Sequence, residues 1–178
     1  MTTNSDLIKL YDSTGREFFI PRDEYIRKVL PKQFQDVQDD ANRLYSTIVI
    51  SLQDGFFAEC VLPAQRLLKI DPDRERATVV LAIAQMRSGN LDDAHDLLKS
   101  YLRDVGQSGI VLTNLAKVYA EQGNSTKAEE TLWSAILTDP NQDNALVWWI
   151  AIHYEQGGAD ARFAAIRRVT DLPGSWRA

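Results

Sequence analysis

The sequence predicts an all-α solenoid: four helix–turn–helix units stacked behind a small N-terminal β-hairpin. Three observations carry this. Gly55, Gly89, Gly123 and Gly157 recur 34 residues apart, each in the slot of a turn. Between Gly109 and Gln142, Leu112, Leu115, Ala116 and Tyr119 fall on one helical face, and Ala128, Leu132 and Ala135 mark a second helix beyond the turn Glu121-Gln122-Gly123-Asn124. Asp139-Pro140 ends that pair, and Asp71-Pro72 stands two periods earlier, where proline stops the helix for want of an N–H. A pair of short amphipathic helices cannot bury both faces alone, so the repetition implies stacked neighbours.

Taken in order, residues 1–40 lie outside the repeat and form a cap. Leu7–Tyr11 and Arg16–Ile20 are β-rich runs around Asp12-Ser13-Thr14-Gly15, which has hairpin chemistry. A lone two-stranded hairpin is marginal in water and needs helices or another chain to pack on. Pro21 opens a helix with Asp23 and Glu24 in its first turn, Tyr25, Ile26, Val29 and Leu30 form its apolar face, and Pro31 interrupts it. Lys32–Gln38 reads as a further short helix, and Asp39-Asp40 as the cap of the first repeat.

The repeats occupy 41–176, as 41–74, 75–108, 109–142 and 143–176. In the first, Cys60 takes the small-residue slot that Ala94 and Ala128 hold later, and Pro63 falls inside the second helix, at a cost of about 3 kcal/mol unless the helix kinks or starts late. The second ends in Val105-Gly106 instead of Asp-Pro. The fourth needs a one-residue deletion in its turn to bring Ala161, Ala165 and Pro173 into the pattern.

The pattern resembles the tetratricopeptide repeat, carried best by Leu112, Leu115, Ala116, Tyr119, Ala128, Leu132 and Pro140. The substitutions are Leu for Trp, Ala for Gly and Leu for Phe. The resemblance implies a right-handed α-solenoid that binds a protein or peptide partner, with the first helices of successive units lining a concave groove. Its groove positions fall on Arg76, Val79, Ile83 and Arg87 in the second unit. They fall on Thr113, Asn114 and Lys117 in the third, and on Asn144, Trp148 and Ala151 in the fourth. Val80 and Val147 occupy groove positions that fit the inter-repeat core equally well. Chaperone-binding members clamp a terminal carboxylate with lysine, asparagine and arginine on successive units. Here Asn114 matches the asparagine, but Val79, Ile83 and Trp148 stand where the other members of the set should be, so that clamp is not expected. An apolar groove with interspersed amides suits an extended or helical peptide. The hairpin followed by repeats also resembles the opening of larger bacterial proteins.

Composition bounds the rest. A chain of 178 residues can bury a continuous core, and a net charge of −5 without a basic stripe argues against nucleic acid. The single cysteine excludes an internal disulfide; it fits a reducing cytoplasm without excluding other compartments. The N-terminal residues lack the basic and apolar regions of a signal peptide, and no apolar run is long enough to span a bilayer, so no membrane association is expected. No phosphate loop, nucleophile elbow or metal-ligand spacing is present, so neither catalytic residues, metal nor cofactor are expected. His95, beside Asp92, Asp93 and Asp96, reads as part of a solvated helix face ahead of an acid–base site, and His153 as a core or half-buried replacement for a packing tyrosine.

The last helix carries two stripes. Ala161, Ala165 and Val169 can pack on their own unit, while Phe163 and Ile166 point toward where a fifth unit would sit. That patch must face water, lie under the C-terminal residues, meet another chain or be the edge of a longer array; a homo-oligomer contact or a longer array are the readings favoured.

Overall fold

The structure is a computed structural model and describes residues 7–176. It divides into two compact units, one up to Pro72 and one from Asp73 on.

In the first unit, β1 (Leu7–Tyr11) and β2 (Glu17–Pro21) pair antiparallel, with Leu7 opposite Pro21 and Tyr11 opposite Glu17. The turn is built by the Asp12 carboxylate, which accepts from the Thr14 N–H at 2.8 Å, the Thr14 hydroxyl at 2.6 Å and the Arg16 N–H at 3.0 Å. Those donors, the Thr14 hydroxyl first, hold the Asp12 carboxyl below its usual range. Gly15 supplies the left-handed residue at φ +81°. Lys9 pairs with Glu17 across the ladder at 2.6 Å. Large apolar side chains stay exposed on the hairpin, among them Tyr11 and Phe19.

Helix α1 (Arg22–Glu24) follows directly, with Asp23 and Glu24 in its first turn and Pro21 as its cap. The expected interruption at Pro31 takes another form. Tyr25–Val29 winds as a π-helical turn in which Leu30 N–H reaches back to Tyr25 O, and α2 (Leu30–Val37) continues with Pro31 in its first turn. The wider turn spares Pro31 the i−4 bond it cannot make, so the helix is re-pitched instead of ended. Arg22 ties the cap to the repeat by donating to Asp54 O at 2.8 Å and stacking 4.0 Å from the Phe56 ring.

The first repeat is α3 (Ala41–Gln53) and α4 (Phe57–Ile70). Asp40 caps α3, its carboxylate accepting from Arg43 N–H at 3.0 Å. Cys60 is wholly buried against α3, its thiol 3.8 Å from Ile48 O, and burial, with Glu59 adding to it, pushes that thiol up to about 12. Pro63 does lie inside α4, leaving Glu59 O without its helical donor.

The second unit runs α5 (Arg74–Arg87), α6 (Leu91–Asp104), α7 (Gly109–Glu121), α8 (Ser125–Thr138) and α9 (Asp143–Thr170). Each helix packs on the next, and α7 also touches α5 and α9. Gly89 and Gly123 take φ of +89° and +77° in the inter-helix turns, as the 34-residue spacing requires. The fourth turn differs. Element α9 breaks at Gly157-Gly158, and Gly158, not Gly157, is the residue with positive φ, at +66°. This is the length irregularity seen in the sequence, absorbed by a pair of glycines.

One core cluster joins Leu98, Tyr101, Val111, Leu115 and Val118. Another joins Leu132, Ile136, Leu146, Trp149, Ala165 and Val169, with Leu172 packed on its edge. Ala94 and Ala128 are buried at their helix crossings, as the repeat alignment requires.

Ala128→Leu should therefore destabilise the chain by about 1–3 kcal/mol through overpacking. Urea denaturation measures this, and a variant as stable as the parent would overturn the helix crossing described for α7 and α8.

Candidate functional site

All ten residues predicted to line the groove lie in the second unit, on α5, α7 and α9. Two side-chain caps fix where the first two of these helices begin. The Asp73 carboxylate accepts from Arg76 N–H at 3.0 Å, and Ser108 Oγ accepts from Val111 N–H at 3.2 Å.

The structure distributes the ten unevenly. On α5, Val79 and Ile83 are half-buried, Arg76 is half-buried and Arg87 is exposed. On α9, Asn144 and Ala151 are exposed and Trp148 is half-buried against the core cluster, while its neighbour Trp149 fills that core at 1% exposure. On α7 the open face closes up. Thr113 is only 1% exposed, its hydroxyl 2.7 Å from both Gly109 O and the Gln142 side-chain oxygen. It is an interior tether between α7 and the start of α9, not a groove residue. Of the two ambiguous valines, Val80 is core and Val147 is exposed.

Asn114 is also buried. Its amide N–H donates to Ile110 O at 2.9 Å, but its Oδ1 has no hydrogen-bond partner among the described residues. Gln85 Oε1, on α5, is in the same condition. A buried acceptor left without a donor costs about 1–3 kcal/mol. Lys117, one turn on from Asn114, is half-buried, and desolvation pulls its ammonium below the usual lysine range. Asn114 and Lys117 thus bring a half-satisfied amide and an under-hydrated cation to α7.

Two features outside the predicted set stand out. Trp133 and Trp149 lie 4.9 Å apart, with the Arg168 guanidinium 3.8 Å from Trp133 and His153 4.1 Å from Trp149. They border a cleft of about 500 Å³ with Glu129, Glu130 and Gln156. His153 is half-buried as expected, with Nδ1 3.0 Å from Trp149 O. The only sequence signal for this cluster was the unusual density of tryptophan in the last two units. His95 departs from expectation: it lies between Asp96 at 2.9 Å and the Tyr119 hydroxyl at 3.3 Å, a half-buried inter-helix contact and not a solvated face. Among the described residues no group of three or more His, Cys, Asp or Glu could hold a metal ion, and no helix is long and apolar enough to cross a membrane.

Lys117 gives a pH test. Its lowered folded pKa means that, as pH rises toward the ordinary lysine value, the unfolded chain holds more protons than the folded one, so the parent protein gains stability over that window. Lys117→Met removes the penalty at neutral pH. Its advantage should be larger at about pH 7 than at about pH 10, read from urea midpoints. An advantage independent of pH would show that Lys117 is not desolvated.

No protein-family model matches the sequence, and neither does any curated protein. Solved structures do. A tetratricopeptide repeat protein from Parabacteroides merdae superposes at a TM-score of 0.64 with 13% identity, over 85% of this chain and 59% of its own. This chain therefore spans less than two thirds of that relative. A thermophilic protein of the same repeat class from Thermus thermophilus gives 0.64 with 18% identity over 85% and 84% of the two chains. YrrB, described as a repeat protein with an unusual peptide-binding site, gives 0.51 with 15% identity over 82% and 75%. By fold, the chain is a tetratricopeptide-repeat-like protein, an α-helical repeat preceded by an antiparallel strand pair.

Proposed function

We propose that the chain is a protein-interaction module and not an enzyme, and that it takes a peptide or helical segment of a protein partner on the α5–α7–α9 face. The observation that carries this reading is the half-buried apolar set Val79, Ile83 and Trp148 on those helices, with Asn114 on α7 only partly satisfied. An extended peptide offers apolar side chains to such walls and backbone groups to an exposed amide such as Asn144. A peptide-binding relative of the same fold, YrrB, supports it. Arg76, Arg87 and Asn144 would contribute polar contacts at the margin, and Ala151 leaves room for a backbone to approach. A net charge of −5 favours protein over nucleic acid as the partner, and a cytoplasmic setting accords with one unpaired cysteine.

A second reading is self-association at the C-terminal end. It rests on Phe163, which is 66% exposed on the last helical segment, with half-buried Ile166 one turn on.

The peptide reading is tested with a displayed random-peptide library selected on the parent protein. Peptides so obtained should lose about 2 kcal/mol or more on Trp148→Ala, about thirtyfold in Kd. Asn114→Ala should also weaken them while the helical fold is kept, as read by circular dichroism. Selected peptides that bind both variants as well as the parent would overturn the proposed face.

A further inference from the structure

The first unit holds an apolar groove that the repeat pattern did not announce. It lies between α2 and α4, is about 440 Å³ in volume, and has buried Leu44 of α3 at its floor. Its walls are Ile26, Leu30, Pro31 and Phe34 on one side and Leu62 and Pro63 on the other. Leu62 is 75% exposed, the most exposed of the large aliphatic side chains among the described residues. Two features make this groove receptive. Pro63 leaves the Glu59 carbonyl without its helical donor, and the Glu59 carboxylate, which also lines the groove, forms no ion pair among the described residues. Two turns further along α4, Arg66 is already committed, donating to Asp39 at 2.6 Å and to Gln38 O at 3.3 Å. The opening is therefore apolar with one acidic group to spare.

The second unit carries the complementary surface. On the last helical segment Phe163 and Ile166 make an apolar stripe. At 100° per residue, Arg162 and Arg167 flank that stripe on its two sides. Both arginines are exposed and neither forms an ion pair among the described residues. The buried stripe of the same segment, Ala165 and Val169, is held by Leu172 and its cluster, so Phe163 is not drawn inward.

We infer that the α2–α4 groove receives the Phe163–Ile166 stripe of a second copy of this chain, with Arg162 or Arg167 of that copy meeting Glu59. The inference rests on the self-association reading above and specifies its geometry. The two surfaces are different patches, so the contact is heterologous: each copy offers one groove and one stripe, and assembly continues head to tail unless it closes into a ring. An arginine that enters this margin gains a carboxylate and a backbone acceptor short of a donor, while Phe163 leaves water for the apolar walls.

The test uses the full chain in sedimentation velocity at concentrations from about 10 µM to about 1 mM. Leu62→Glu spoils the groove and keeps the stripe; Phe163→Glu spoils the stripe and keeps the groove. Both positions are exposed, so neither change threatens the fold, and circular dichroism confirms it. The parent should grow in mass with concentration, each variant alone should stay monomeric, and an equimolar mixture of the two should form a species of two chains and nothing larger. Glu59→Arg should weaken assembly of the parent at least tenfold. A parent that associates while Leu62→Glu alone associates equally well would overturn the groove-to-stripe contact and leave a like-to-like contact at the C-terminal end. A mixture that stays monomeric would overturn the groove-to-stripe contact outright. A parent that is monomeric throughout would overturn both this contact and the self-association reading.

Discussion

The closeness with which two helices can cross sets everything else in the repeats. At Cys60, Ala94 and Ala128 the crossing residue is small and at most 3% exposed, and the helices of each pair meet over it. Only then can larger side chains on either side, Leu98 and Val111 or Leu132 and Ile136, interdigitate into shared clusters. A repeat of this kind needs few identities. It needs a small residue at one position, large apolar residues at a few others, and a turn that accepts a left-handed backbone. That is why structures 13% and 18% identical superpose on the chain at a TM-score of 0.64 when no family model matches it.

What was legible follows from the same economy. Spacing exposes features that repeat: the helices, the turn glycines Gly55, Gly89 and Gly123, and the buried slots. It does not expose features fixed by depth or by partners distant in sequence. Thr113 has the pattern of an open groove position, but Gln142, 29 residues on, arrives above it and encloses it. His95 looks solvated beside its aspartates because Tyr119, its other neighbour, lies 24 residues away. The turn around Pro31 shows a subtler limit. The residue identities foretell the missing N–H, but whether the helix stops or re-pitches depends on the tertiary demand for Tyr25, Leu30 and Phe34, all buried, to face one way.

The candidate face on α5, α7 and α9 was legible as a list and not as an environment. Sequence reasoning placed Asn114 there as an amide available to a peptide; the structure shows an amide that is half satisfied. The distinction matters physically. A fully solvated asparagine gives up water to bind and gains little, whereas an acceptor already stripped of water meets a new donor only after its side chain turns out of the helix packing. The apolar groove between α2 and α4 escaped sequence reading for the opposite reason. It is formed across the junction of cap and repeat, where no period applies.

The partition of reactive and fluorescent side chains has a practical consequence. The only thiol, Cys60, is buried in the unit that ends at Pro72, and all four tryptophans (Trp133, Trp148, Trp149 and Trp176) belong to the unit that begins at Asp73. Thiol labelling therefore times the opening of one unit, while indole emission follows the other, without any substitution. Whether the two signals coincide on denaturation measures directly how far the junction at Pro72-Asp73 transmits cooperativity.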